Sequence, residues 1–283
     1  MKPITRRYAL AGAVALAGCG PGVARPRTIE AAVAGPWRPA ADKARDKWRH
    51  PAETLKFLGL KPGDTVVEFW PGAGWYSDIL APFLAATHGK LYAAHMQLAE
   101  PPQPGEAAAR QVLEAYRARY VKGPRLYGKV ELTAFGRTSG PVAPAGSADL
   151  VLFFRNLHNW MAGGIAEKAF RDAFLALKPG GVLGVVEHRA APGGVPDLLA
   201  QSGYVDQAYA TRLGQEAGFR LAAASEINAN PKDDRRHPFG VWTLPPVRRS
   251  SPLGQPPDPA FDHAPYDAIG ESDRMTLKFV KPT

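Results

Sequence analysis

Asp64-Thr-Val-Val-Glu-Phe-Trp-Pro-Gly-Ala-Gly-Trp-Tyr76 joins an apolar run ending in an acidic residue to a Gly-x-Gly turn and the start of a helix. Such a strand–turn–helix junction aims backbone N–H groups at a ligand, and the glycines keep Cβ atoms out of its way. Further along, Ala173-Phe-Leu-Ala-Leu-Lys-Pro-Gly-Gly-Val-Leu-Gly-Val-Val-Glu187 reads as a helix, a Pro-Gly-Gly turn and a second buried strand. Between and beyond these two stretches, strand-like and helix-like segments alternate. That is the pattern of a mostly parallel sheet covered on both faces.

The strands are expected at about 65–69, 90–95, 130–135, 149–154, 181–187, 219–225 and 274–281. Helices are expected at 51–58, from near Trp75 with Pro82 as a kink, and at 106–120, 165–177 and 205–216. Residues 227–273 form a long Gly- and Pro-rich insertion, of the kind that serves as a functional cover or stays irregular. Gly270-Glu-Ser-Asp-Arg274 reads as a turn before the last strand, with no chemical role.

In order and spacing, the two quoted stretches resemble the class I S-adenosylmethionine-dependent methyltransferases, and Leu58-Gly-Leu-Lys-Pro-Gly-Asp64 is similar to that family's lead-in to its first strand. The resemblance covers about residues 46–283. It implies a Rossmann-like seven-stranded α/β sheet, with the last strand inserted antiparallel beside the fifth. It also implies S-adenosylmethionine as cofactor and methyl transfer to a small molecule. A non-catalytic ligand-binding protein retaining the same fold is the alternative.

Ligands of open α/β sheets bind at the carboxyl ends of the strands, where strand order reverses. After the first strand the cofactor candidates are Glu68, Trp70, Gly72, Gly74 and Trp75, and the resemblance sets the two glycines against the methionine part of the cofactor. Trp70 stands where that family commonly has glycine. His95 ends the second strand where a ribose-binding carboxylate is usual, and an imidazole offers one neutral acceptor instead of two charged oxygens. After the fourth strand, Phe153-Phe-Arg-Asn-Leu-His-Asn-Trp160 is the densest polar and aromatic cluster in the chain. It gives Arg155 as a further cofactor contact, Asn156 and Asn159 as substrate contacts, and His158 as general base. The plain alternative is a turn whose polar groups cap the next helix. In the insertion, Phe239 and Trp242 are candidates to cover a ligand, with Trp242 as a substrate contact, and Arg235, Arg236 and His237 to meet an anion. A metal held by His95, His158, Glu187 and His188 is a minor alternative without supporting local spacing, and no metal is expected.

The chain has 283 residues, 45% hydrophobic, with a net charge of +9. Lys2, Arg6 and Arg7 carry three of those charges inside a signal-like start, and the other basic residues are scattered. Nucleic acid is therefore not an expected partner. Residues 1–18 read as an export signal and Leu16-Ala-Gly-Cys19 resembles a bacterial lipobox, with Cys19 lipidated. Thr5-Arg6-Arg7-Tyr8 is similar to a twin-arginine signal. The expected destination is a membrane facing the periplasm, the outer membrane in preference, with residues 19–45 as a tether.

Overall fold

A computed structural model describes residues 24–193 and 197–283. The signal segment and Cys19 lie outside the described residues. Seven strands form one sheet: β1 Thr65–Phe69, β2 Lys90–Met96, β3 Val130–Phe135, β4 Ala148–Phe154, β5 Leu177–His188, β6 Arg220–Ser225 and β7 Arg274–Val280. Their order is β3-β2-β1-β4-β5-β7-β6. β1 pairs in parallel with both β2 and β4, and β7 runs antiparallel between β5 and β6. This is the expected Rossmann-like architecture, and strand order reverses between β1 and β4.

Neighbouring residues of β1 show why the sheet is covered twice. Val66 packs with Leu55, Leu58, Ile79, Leu80 and Phe83 on one face, whereas Val67 packs with Val151, Phe153, Trp160 and Phe170 on the other. Side chains alternate along a strand, so two adjacent valines supply two cores. β5 begins earlier than the sequence pattern indicates, because Leu177 pairs with Ala148 before the register shift that precedes Leu150.

Residues 24–45 are not a plain tether. Short helices at Ile29–Val33, Ala40–Lys43 and Asp46–Arg49 lie against the domain, with Ile29 and Ala32 buried in the core beside Leu55. Arg38 is buried and bonds both oxygens of Asp46. No helix among the described residues is long and apolar enough to cross a membrane.

The reason for this packing is local chemistry. The helix Ser77–Ala86 runs through Pro82, which has no N–H to offer Asp78 four residues earlier. The Asp78 carbonyl instead accepts a hydrogen bond from the Trp37 indole nitrogen, at 2.7 Å. A residue far upstream thus supplies the donor that proline removed. Trp37→Phe should destabilise the fold by about 1–3 kcal/mol, the cost of an unpaired buried carbonyl. In a Pro82→Ala background, the backbone N–H restored at position 82 can donate to the Asp78 carbonyl itself, so the same Trp37 substitution should cost markedly less in denaturant unfolding. Equal costs in both backgrounds would show that Trp37 acts by packing alone.

Candidate active site

β1 ends at Phe69, and the turn after it is held from three sides. Trp70 N–H donates to the Ala94 carbonyl on β2 at 2.8 Å, and Asn156 Nδ2 donates to the carbonyls of Phe69 and Trp70, both at 3.1 Å. The Trp70 indole donates across to the Phe135 carbonyl at the end of β3 at 2.9 Å, packed by Phe135 and Trp160. Asn156 is therefore a clamp on this turn: its amide hydrogens are spent on backbone.

The two glycines differ. Gly72 has φ +58°, and a Cβ there would meet no protein atom within 4 Å. At Gly74, with φ +93°, a Cβ would lie 2.2 Å from the Tyr120 hydroxyl. That hydroxyl donates to the Gly74 carbonyl at 2.9 Å. Gly74 permits a close approach of the helical segment carrying Tyr120, and it does not line a cleft. Gly72 does.

A cleft of about 350 Å³ opens at the ends of β1 and β4, bounded by Glu68, Trp70, Gly72, Trp75 and Arg155 together with Arg45 and Arg49. Glu68 is buried and accepts from Ser77 Oγ at 2.6 Å, and Ser77 Oγ also meets the Tyr116 hydroxyl at 2.9 Å. Burial pushes the Glu68 carboxyl up to about 7, against the lowering effects of Ser77 and of nearby Arg155. Trp75 is flanked by the guanidiniums of Arg38 and Arg49, 5.0 and 4.9 Å from its ring, and its indole nitrogen is buried without a partner among the described residues.

On the far side of Trp70, a cleft of about 310 Å³ is lined by Gly72, His95, Asn156 and Asn159. His95 Nε2 lies 3.2 Å from the Gly72 carbonyl, which can only accept, so Nε2 carries the proton. Nδ1 is then an acceptor, buried and without a partner among the described residues. Burial lowers the His95 pKa, outweighing this hydrogen bond, and favours the neutral ring. Asn159 is exposed at the rim.

The cluster after β4 forms the third part. Arg155, at φ +56°, donates its backbone N–H to Val186 on β5, and the helix Leu157–Ala162 follows. Glu187, fully buried at the end of β5, accepts from His158 Nδ1 at 3.0 Å and from the backbone N–H groups of His158 and His188 at 3.3 and 2.8 Å. This leaves His158 Nε2 for the adjoining cleft of about 240 Å³, which Arg45, Arg49, Arg155, His188, Trp242, Pro245 and Glu271 also border. His188 Nδ1 meets Ser272 Oγ at 2.5 Å. Burial first, then the positive neighbours His158, Arg274 and Arg155, hold the His188 pKa well below its ordinary value.

His158, Glu187 and His188 therefore converge, with donor atoms within 4.8 Å of one another, whereas His95 stands apart beside Gly72. Of the candidates in the insertion to meet an anion, Arg236 is exposed, and the other two have acidic partners within the chain. Arg235 is tied to Asp273, and His237 Nε2 to Asp233 at 2.8 Å. Phe239 packs on Phe261, but Trp242 does reach the site, edge-on to His158 with centroids 6.0 Å apart. Arg45, Arg49 and Glu271 were not among the sequence candidates. The run of opposite charges at 271–274 immediately before an apolar strand was the available signal.

No family model and no curated protein sequence matches the chain. Its fold is similar to that of the [4+2]-cyclase SpnF, at 17% identity over 88% of this chain and 83% of that one, with a TM-score of 0.51. A SAM-dependent methyltransferase from Aquifex aeolicus is similar at 21% identity over 68% and 94%, with a TM-score of 0.50. A chain of the Haloferax volcanii complex between the Trm112 methyltransferase activator and a methyltransferase gives 15% identity over 91% and 99%, with a TM-score of 0.51. At these identities the likeness is one of fold, the Rossmann-like fold of S-adenosylmethionine-dependent methyltransferases.

Glu68 provides a test of the burial argument. Between about pH 4.5 and about 7 the folded state keeps a proton that the unfolded chain releases, so stability from this group falls as pH rises through that window. The total is on the order of 3 kcal/mol, and it is constant above the window. Glu68→Gln removes this term. Relative to the parent, the variant should therefore gain stability from about pH 4.5 to about 7.5 in denaturant unfolding. A pH-independent difference would place the titration elsewhere.

Proposed function

We propose that the protein is an S-adenosylmethionine-dependent methyltransferase acting on a small molecule, with His158 as general base. The observation that carries this reading is the Glu187–His158 pair, set beside a glycine turn at the point where strand order reverses. Glu187 fixes both the orientation and the tautomer of the imidazole, and Nε2 is left to take a proton from an acceptor in the cleft. His188 is unsuited to the task, since its Nδ1 is engaged by Ser272 Oγ and its pKa is held low.

The residues present fit the cofactor in three respects. Gly72 presents open backbone, and His95 Nδ1 and Trp75 Nε1 are buried polar atoms lacking protein partners among the described residues. Glu68, Trp70, Gly72, Trp75, His95 and Arg155 would hold it. The cofactor supplies an electrophilic methyl group on sulfonium, with a neutral thioether as leaving group. The chain's own task is to orient the acceptor, exclude water under Trp242 and accept one proton at His158.

His95 in place of a carboxylate favours a second reading, a ligand-binding protein that keeps the fold without turnover. Purified protein should bind S-adenosylmethionine by calorimetry and consume it once an acceptor is found. His158→Ala should then lower kcat by about 10²–10⁴ with cofactor affinity nearly unchanged. Binding without consumption across a broad acceptor panel would favour the carrier, and absence of binding would end both readings.

We also propose, from Leu16-Ala-Gly-Cys19, that the protein is exported and lipid-anchored facing the periplasm. Radiolabelled palmitate fed to producing cells should enter the parent protein and not Cys19→Ser. Equal labelling, or none, would rule out Cys19 as the lipidated residue.

A further inference from the structure

We infer that the acceptor carries a carboxylate, gripped by Arg45, Arg49 and Arg155 in the cleft beside His158. The inference deepens the methyl-transfer reading and rests on it for assigning this cleft to the acceptor. Its basis is an imbalance of charge with free donors. Glu271 is the carboxylate that meets Arg45, Arg49 and Arg274, with closest contacts of 2.7, 2.9 and 3.1 Å. Arg45 and Arg49 reach it through Nε, and their terminal nitrogens have no protein hydrogen-bond partner among the described residues. Arg49 is 4% exposed. Arg155 makes no side-chain hydrogen bond or ion pair among the described residues, and all three arginines border the cleft with His158.

Two further features point the same way. Arg155 sits at φ +56°, a left-handed conformation that is unfavourable for a residue with a Cβ. Strain of this kind is a feature of functional sites, and here it belongs to the residue with the free guanidinium. Secondly, the methyl donor is a sulfonium cation. The three guanidiniums that border the cleft repel it, and an anionic acceptor reverses that repulsion. The guanidinium fork also matches a carboxylate geometrically, by paired N–H···O bonds. Trp242, Pro245, Pro246 and Val247 give the same cleft an apolar wall, suited to a ring or short chain attached to the acid.

Benzoate is the probe, with benzamide as its neutral counterpart, titrated calorimetrically into the full-length protein with and without S-adenosylhomocysteine. Benzoate should bind saturably, at least tenfold more tightly than benzamide, and equally well with S-adenosylhomocysteine present. Arg155→Gln and Arg45→Gln should each weaken benzoate at least tenfold, and Arg45→Gln, at a position outside the residues assigned to the cofactor, should leave S-adenosylhomocysteine binding within twofold. Arg45 is partly exposed, so its variant keeps the test valid if Arg155→Gln fails to fold. Equal binding of the two probes, no saturable benzoate binding, or parent-like affinity in folded variants would overturn the inference. Mutual exclusion of benzoate and S-adenosylhomocysteine would also overturn it, assigning the arginines to the cofactor's own carboxylate. Benzoate selectivity in a protein that binds no S-adenosylhomocysteine would keep the anion site and sink only the methyl-transfer reading.

Discussion

The carboxylate of Glu271 organises the site. It draws together Arg45 and Arg49 from the N-terminal helices and Arg274 from the first position of β7, groups that would otherwise repel one another. Burying charge is costly, and removing one partner from such a cluster strands the others without compensation. Arg274 shows the strain: burial brings its pKa down to about 10, despite the support of Glu271. The same contact fixes the cleft's composition. By tying residues 45–49 to residue 271, it brings two guanidiniums over the ends of β1 and β4, where the sheet alone would offer only Arg155.

The carboxyl end of β5 works by a related principle with a different result. Glu187 is buried and spends its oxygens on two backbone N–H groups and one imidazole. Its surroundings separate two neighbouring histidines. His158 is aligned by Glu187 and opens toward the cleft, while His188 is bonded to Ser272 and held low in basicity by burial and positive neighbours. The rings lie 5.3 Å apart, centroid to centroid. A proton taken up by one would disfavour uptake by the other.

What the sequence disclosed follows from the range of the forces involved. The strands were legible because apolar runs bounded by Gly, Pro and Asp depend on local pattern, and β1, β3 and β7 fall where the pattern sets them within a residue. The turn after β1 was legible for the same reason, as was the cluster from Arg155 to Asn159. The N-terminal helices were not. Trp37 and Arg38 look like linker residues until Pro82 is seen to lack a donor and Trp75 to present a ring. Those requirements arise only after residues 37 and 78 have met. Gly74 has a packing partner that the sequence did not disclose. A glycine beside a presumed ligand and a glycine beside a tyrosine look identical in sequence, and only the position of Tyr120 distinguishes them.

The departures at Trp70 and His95 belong together with the arginines. Trp70 spans from β1 to the Phe135 carbonyl and divides the sheet edge into two clefts. His95 puts a neutral acceptor where a carboxylate would carry negative charge, and Glu68, with its carboxyl pushed up to about 7, contributes less than a full charge at neutral pH. Each change lowers the negative potential along the edge. Arg45, Arg49 and Arg155 then make the edge net positive, a field that low-dielectric walls concentrate. An edge of this polarity holds a cationic ligand weakly on its own and better once an anion is seated beside it. Affinities for a cation and for an anion at such an edge are linked, and linkage of that kind is reciprocal.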